Sequence, residues 1–120
     1  MKNKKILVLE DDPILSFVLI EMLEALGHDH NITCQNVSDA KDLLGCDDFF
    51  AFAFLDVHVD NETSYDVARK LDKMDIPYCF ASGSEESEQP EEFSNSDYLK
   101  KPYSSKDVKR VLAKYNLLQN

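Results

Sequence analysis

Five residues of kinds that bind cations or take part in group transfer stand just after short apolar runs of the chain. Glu10 and Asp11 follow Ile6 to Leu9, Asp56 follows Phe49 to Leu55, Ser82 follows Tyr78 to Ala81, and Lys101 comes shortly after Tyr98 and Leu99. If those runs are parallel strands of one sheet, the five side chains meet beyond the strands' carboxyl ends, where open α/β sheets hold their ligands. Gathered carboxylates repel one another unless a cation offsets them, and a hard divalent ion suits an all-oxygen donor set. Mg²⁺ fits best, because it takes one or two carboxylates, keeps several waters and accepts a phosphate oxygen. Its coordination then stays open to a transferring phosphoryl group. Singly, each residue has a plainer reading: Glu10 and Asp11 as acids at a helix N-terminus, Asp56 as a turn former at a strand end. The joint placement is what argues for a site.

The elements that would position these residues can be read in chain order. Lys5 to Leu9 is a strand, and Asp12-Pro13 is an N-cap followed by a first-turn proline, so the strand feeds a helix that runs to Gly27. A second strand is expected within 30–37, and Ser38 is positioned to cap a short helix ending near Gly45. Phe49 to Leu55 is apolar at every position, as a central strand buried on both faces requires. Val67, Ala68, Leu71 and Met74 have helical spacing, and Pro77 separates them from the strand Tyr78 to Ala81. Tyr98-Leu99 is a short strand, after which Ser104 and Asp107 form a capping box for a helix with Val108, Val111, Leu112 and Tyr115 on one face. The stretch SGSEESEQPEEFSNSD, 82–97, permits at most a short helix because of Pro90 and its many Ser and Glu residues. Strands alternating with helices predict a parallel sheet with crossover connections.

Composition sets further bounds. A chain of 120 residues is expected to form one domain, 1–120, and a net charge of −10 argues against nucleic acid as a direct partner. No apolar run approaches bilayer length, and the start MKNKKILVLEDD has no secretory apolar core, so a cytoplasmic protein without membrane attachment is expected. Cys34, Cys46 and Cys79 are odd in number and widely spaced, as structural thiols rather than a disulfide frame or zinc site would be. His28 and His30 read as loop residues rather than metal ligands.

Four segments in order, ILVLEDDP, FAFAFLDV, FASG and YLKKPY, resemble the receiver domains of bacterial response regulators, and the match covers essentially the whole chain. The resemblance implies a flavodoxin-like (βα)5 fold, a doubly wound five-stranded parallel sheet, here with a short or irregular fourth helix. It implies that Asp56 is the phosphoacceptor, assisted by Lys101 and Ser82. It also implies an Mg²⁺ held by Asp11, Asp56 and the backbone carbonyl of His58, with Glu10 acting through water. Ser82 and Tyr98 take the positions of the family's switch residues. The expected reaction is phosphoryl transfer to Asp56 from a phosphohistidine of a kinase or phosphotransfer protein. The chain would promote only its own phosphorylation and dephosphorylation, and act on a downstream protein by noncovalent binding.

Two features depart from the family. Asp60 stands four residues after the phosphoacceptor, where a proline is common, in a loop similar to that of a subgroup of receivers without an attached output domain. The irregular 83–98 segment also changes the family's usual output face, built from its fourth helix, fifth strand and fifth helix. On a helical wheel of the first helix, Phe17 and Ile20 fall with Glu21 and Glu24, away from a stripe of Leu15, Val18, Leu19 and Met22. Phe17 and Ile20 are therefore expected to dock against a kinase, a phosphotransfer protein or a second copy of the chain. The alternative function is an unphosphorylated pseudo-receiver that serves as an interaction module, but such a chain is expected to lack one of the acids or the lysine. An aspartyl-phosphate phosphatase of the haloacid dehalogenase type would want an acid at position 58, where His58 stands. A flavodoxin-like redox carrier would need a phosphate-cradling loop where Glu10, Asp11 and Asp12 repel phosphate.

Overall fold

The computed structural model describes residues 5–46, 50–85 and 88–118. Its strands are β1 (Lys5–Leu9), β2 (Asn31–Cys34), β3 (Phe50–Asp56), β4 (His58–Val59), β5 (Glu62–Thr63), β6 (Tyr78–Ser82) and β7 (Asp97–Lys100). Its helices are α1 (Pro13–Ala25), α2 (Val37–Cys46), α3 (Tyr65–Lys73) and α4 (Ser105–Lys114). Five strands form one parallel sheet in the order β2-β1-β3-β6-β7, the doubly wound order of flavodoxin-like folds, and β4 and β5 make a separate antiparallel hairpin.

Alternation along the strands sends side chains into two cores, one on each face of the sheet. Leu7, Leu9, Ala53, Leu55 and Phe80 pack with residues of α2 and α3, whereas Ile6, Val8, Phe52, Phe54 and Cys79 pack with residues of α1 and α4. This double burial is why β1, β3 and β6 are apolar at nearly every position.

The helix starts are fixed by local side-chain bonds. Asp12 accepts from the backbone N–H groups of Ile14 (2.9 Å) and Leu15 (3.4 Å), and Pro13 occupies the first helical position. Ser104 and Asp107 form the reciprocal capping box expected from sequence, with Ser104 N–H donating to Asp107 at 2.9 Å and Asp107 N–H to Ser104 at 3.3 Å. The second helix begins two residues earlier than expected. Asn36, not Ser38, caps it, accepting from Asp39 N–H at 2.8 Å, since an amide oxygen at that position reaches the orphan donor three residues on.

Where a fourth crossover helix would lie, the described residues hold a three-residue 3₁₀ turn, Glu91–Phe93, preceded by Pro90. Its anchor is Phe93, buried and stacked on Tyr65 at a centroid distance of 5.2 Å, with Phe80 meeting it edge-on at 5.2 Å. Arg69 of α3 donates to both carboxylate oxygens of Glu92 at 2.6 and 3.1 Å, and the Tyr65 hydroxyl donates to Gln89 at 2.7 Å. One ring and a fork-shaped ion pair thus dock a segment too polar to bury a helical face.

The rotation of α1 differs from the sequence expectation. Ser16, Leu19 and Leu23 face inward and Ile20 packs against the α1/α4 core, whereas Ile14 (72% exposed), Phe17 (64%), Leu15 (41%) and Val18 (41%) face outward. The first two turns are apolar nearly all round, so hydropathy did not define which side the sheet would cover. Phe17 is therefore exposed as expected and Ile20 is not. Cys34 and Cys79 are buried thiols and Cys46 an exposed one. His28 is buried, with its ring bonded to the Leu117 carbonyl, a tie between the end of α1 and the chain beyond α4.

Phe93→Ala removes the one buried ring of the 88–96 segment. It is expected to lower stability by about 3 kcal/mol in urea unfolding and to open the segment's backbone amides to hydrogen exchange. A loss below about 1 kcal/mol would mean that the ion pair alone holds the segment.

Candidate functional site

The carboxyl ends of β1, β3 and β6 deliver Glu10, Asp11, Asp56 and Ser82 to one edge of the sheet, and the turn after β7 brings Lys101 to the same place. The ladder extends to the site itself. Glu10 N–H donates to Cys34 (3.0 Å), Val57 N–H to Ala81 (3.0 Å) and Lys101 N–H to Ser82 (2.8 Å), each to a backbone carbonyl. Backbone pairing therefore fixes the origins of Glu10, Asp56, Ser82 and Lys101. The Lys101-Pro102 peptide bond is cis.

Glu10 and Asp56 are 4% and 5% exposed, and Asp11 is at the surface. Lys101 Nζ lies 2.9 Å from Asp56 Oδ1 and 3.0 Å from Glu10 Oε1, so one ammonium serves two buried carboxylates. Glu10 also accepts from Asp12 N–H at 3.1 Å. Glu10, Asp11 and Asp56 can each offer one oxygen such that the three lie within 4.8 Å of one another. Three carboxylates against one ammonium leave the cluster two negative charges in excess when all are ionised. Burial, followed by the neighbouring Glu10 carboxylate, pushes the Asp56 carboxyl up to about 8, with Lys101 opposing the shift. Burial works to lower the Lys101 ammonium, but its bonds to Asp56 and Glu10 outweigh that and raise it. An all-oxygen donor set short of positive charge, with one member at the surface, fits a hard divalent cation such as Mg²⁺.

The other expected residues are placed as follows. Ser82 is buried one residue beyond Ala81, the β6 partner of Asp56, and its hydroxyl accepts from Ser84 N–H at 3.1 Å. The Tyr98 hydroxyl donates to the Ser84 carbonyl, so Ser84 joins both expected switch residues. The His58 side chain is exposed. Phe17 and Ile20 lie on α1, outside the cluster.

Two neighbours of the site were not read from the sequence. Tyr103 lines a narrow recess with Glu10 and Asp56, and burial and then those two carboxylates push its hydroxyl upward, which keeps it a neutral phenol. Its signal was present in YLKKPY, two residues beyond the lysine. The other is the backbone N–H of Asp60, which donates to Asp11 Oδ2 at 2.9 Å from the tip of the β4–β5 hairpin. Asp60 was read for its charge, and a backbone donor leaves little trace in sequence.

The fold is that of response regulator receiver domains. Among solved structures the chain is similar to SdrG from Sphingomonas melonis Fr1, with 29% identity and a TM-score of 0.80 over 97% of this chain and 99% of that one. It is similar also to the PhyR receiver domain of Erythrobacter litoralis (23% identity, TM-score 0.79, 100% and 95% covered). A third similar structure is the receiver domain of a sensor histidine kinase from Pseudomonas aeruginosa with a magnesium ion coordinated in its active site cleft (19% identity, TM-score 0.77, 95% and 98% covered). No family model matches the sequence, and no curated protein does.

The raised Asp56 carboxyl gives a signed prediction. Between its ordinary value of 3.8 and about 8, the folded chain retains a proton that the unfolded chain releases, so this residue's contribution to stability falls as pH rises through that window. Asp56→Asn removes the penalty and leaves Glu10 to pair Lys101. In chelator at pH 8 the variant is expected to be more stable than the natural chain by at least about 1.4 kcal/mol, a tenfold change in proton affinity. The gap should close toward pH 4 and narrow when Mg²⁺ is added. Equal unfolding midpoints at pH 8 would contradict the assignment.

Proposed function

We propose that the chain is a phosphoacceptor in a two-component relay, with Asp56 taking a phosphoryl group from a phosphohistidine of a kinase or phosphotransfer protein. The observation that carries this reading is the Lys101 ammonium shared by Asp56 and Glu10 within a three-carboxylate cluster. Asp11, Asp56 and the His58 backbone carbonyl would hold Mg²⁺, with Glu10 reaching it through water. When bound, the cation supplies charge neutralisation for the phosphoryl oxygens. An Asp56 oxygen forms the new O–P bond as the N–P bond of the donor imidazole breaks, and the imidazole leaves with that bonding pair. Lys101 then pairs with a phosphoryl oxygen, and the Ser82 hydroxyl turns toward another, giving up its bond from Ser84 N–H. Hydrolysis of the acyl phosphate later returns the Asp56 carboxylate and inorganic phosphate, so the chain acts on itself rather than on a separate substrate.

Support for a protein donor comes from α1. Its exposed Leu15 and Val18, with Met22, line an apolar groove of about 390 Å³ whose far wall is Lys101, Pro102 and Tyr103, and the exposed Ile14 and Phe17 lie on the same helix outside it. A helix seated there would lie beside the lysine that faces Asp56. Among the described residues no helix is long and apolar enough to cross a membrane, and a cytoplasmic donor would meet this face directly. The same patch would also serve an interaction module that is never phosphorylated, which makes chemistry at Asp56 the deciding measurement.

Intact mass after incubation with a small phosphodonor and Mg²⁺ is expected to show one phosphate adduct on the natural chain. Asp56→Asn and the chelated natural chain should show none. No adduct on a chain shown to bind Mg²⁺ would favour the unphosphorylated module. For Leu15→Ser with Val18→Ser, phosphorylation by the small donor should be unchanged, while transfer from a phosphohistidine protein should slow about tenfold, as loss of a central apolar anchor does. Equal rates from the protein donor would remove α1 from the docking surface.

A further inference from the structure

The hairpin after Asp56 has a rigidity that its exposed position does not call for. Val57 and Val59 are fully buried and pin its first strand to the core on alternate residues, which leaves His58 and Asp60 outward. Ser64 N–H donates to the Val57 carbonyl at 2.9 Å and closes the base, and His58 and Val59 pair with Thr63 and Glu62. The two turn residues, Asp60 (φ 49°) and Asn61 (φ 66°), both adopt left-handed backbone, as a type I′ hairpin requires. Non-glycine residues pay a steric penalty there, smallest for Asp and Asn. What this turn does with its first N–H is donate it to Asp11 Oδ2, 49 residues earlier in the chain.

We infer that Asp60 is a positioning residue: its backbone N–H orients the Asp11 carboxylate for the cation, leaving the other oxygen free. This rests on the cation site of the proposed phosphoacceptor. Asp11 is the exposed member of the three carboxylates, without the burial that holds Glu10 and Asp56 in place. A flexible surface carboxylate loses rotamer freedom on binding a metal, and a fixed donor on one oxygen removes part of that cost in advance. The hairpin supplies such a donor from an element tied to Asp56 by one intervening buried residue, so a backbone unit joins the orientations of two ligands.

The test is the Mg²⁺ dissociation constant, by calorimetric titration, for three variants and the natural chain. Asn61→Gly should be indistinguishable from the natural chain, because Gly suits that turn position. Asp60→Asn with Asn61→Gly keeps the turn and the N–H but loses the charge, and is expected to weaken binding less than about threefold. A semisynthetic chain with an ester in place of the 59–60 peptide amide keeps the turn's dihedral angles, has no N–H to give, and should weaken binding about tenfold or more, the range for loss of a group bonded to a metal ligand. Proline would not serve, because its φ of about −65° cannot meet the 49° of Asp60. Should the ester chain fail to fold, the Asp60 amide of the natural chain supplies the reading by hydrogen exchange. It should be protected, remain so at saturating Mg²⁺, and lose protection in Asp11→Ala. Natural affinity in a folded ester chain, or loss of that protection on adding Mg²⁺, overturns the inference. A natural chain that binds no Mg²⁺ overturns the cation site itself, and the two failures are told apart by that first titration.

Discussion

The interaction on which the rest depends is the attraction of one half-buried ammonium for two buried carboxylates, with a third at the surface. Two carboxylates at such depth repel each other and lose hydration. Lys101 lessens that cost without cancelling it, since burial first and then the Glu10 carboxylate still push the Asp56 carboxyl upward. The structure bears this at the sheet edge because the backbone origins of Glu10, Asp56 and Lys101 are already fixed by ladder bonds between β2, β1, β3, β6 and the turn after β7. Strain that would unfold a loop is here opposed by two apolar cores, one on each face of the sheet.

The cluster was legible in the sequence because each member follows an apolar run, and a strand buried on both faces leaves such a run with little ambiguity. β1, β3 and β6 are of this kind, and the residues at their ends could be compared directly. The capping boundaries were nearly as clear, since Asp12-Pro13 and Ser104 with Asp107 act over three or four residues. Asn36 in place of Ser38 shows the limit of that signal: two good caps two residues apart cannot be ranked without knowing where β2 ends.

The rotation of α1 and the donor at Asp60 were not legible, for different reasons. A helix apolar all round carries no rotational information, so Leu15 and Val18 exchange places with Ile20 between the wheel and the structure. The Asp60 contact is made by a backbone atom whose direction depends on two positive φ values. Asp-Asn permits that geometry without announcing it. Tyr103 lies between these cases, visible in a motif yet read only as part of it.

The described residues of 82–97, which form short turns rather than a long helix, bear on how a charge placed at Asp56 could be felt elsewhere. A helix of several turns moves as a body, carrying a displacement at one end to the other. Here the far end is held by Phe93 between Tyr65 and Phe80 and by the Arg69–Glu92 fork, while the near end is tied by the Ser84 N–H to Ser82 and by the Tyr98 hydroxyl to the Ser84 carbonyl. Lys100 also pairs with Glu85 across the same turn. If Ser82 turns toward a phosphoryl oxygen, the bond from Ser84 is the first to yield, and with it the carbonyl that holds Tyr98. The docked turn at Phe93 has no reason to follow. Such a response would stay within Gly83, Ser84, Glu85 and the rim formed by Tyr98 and Lys100, next to the site itself.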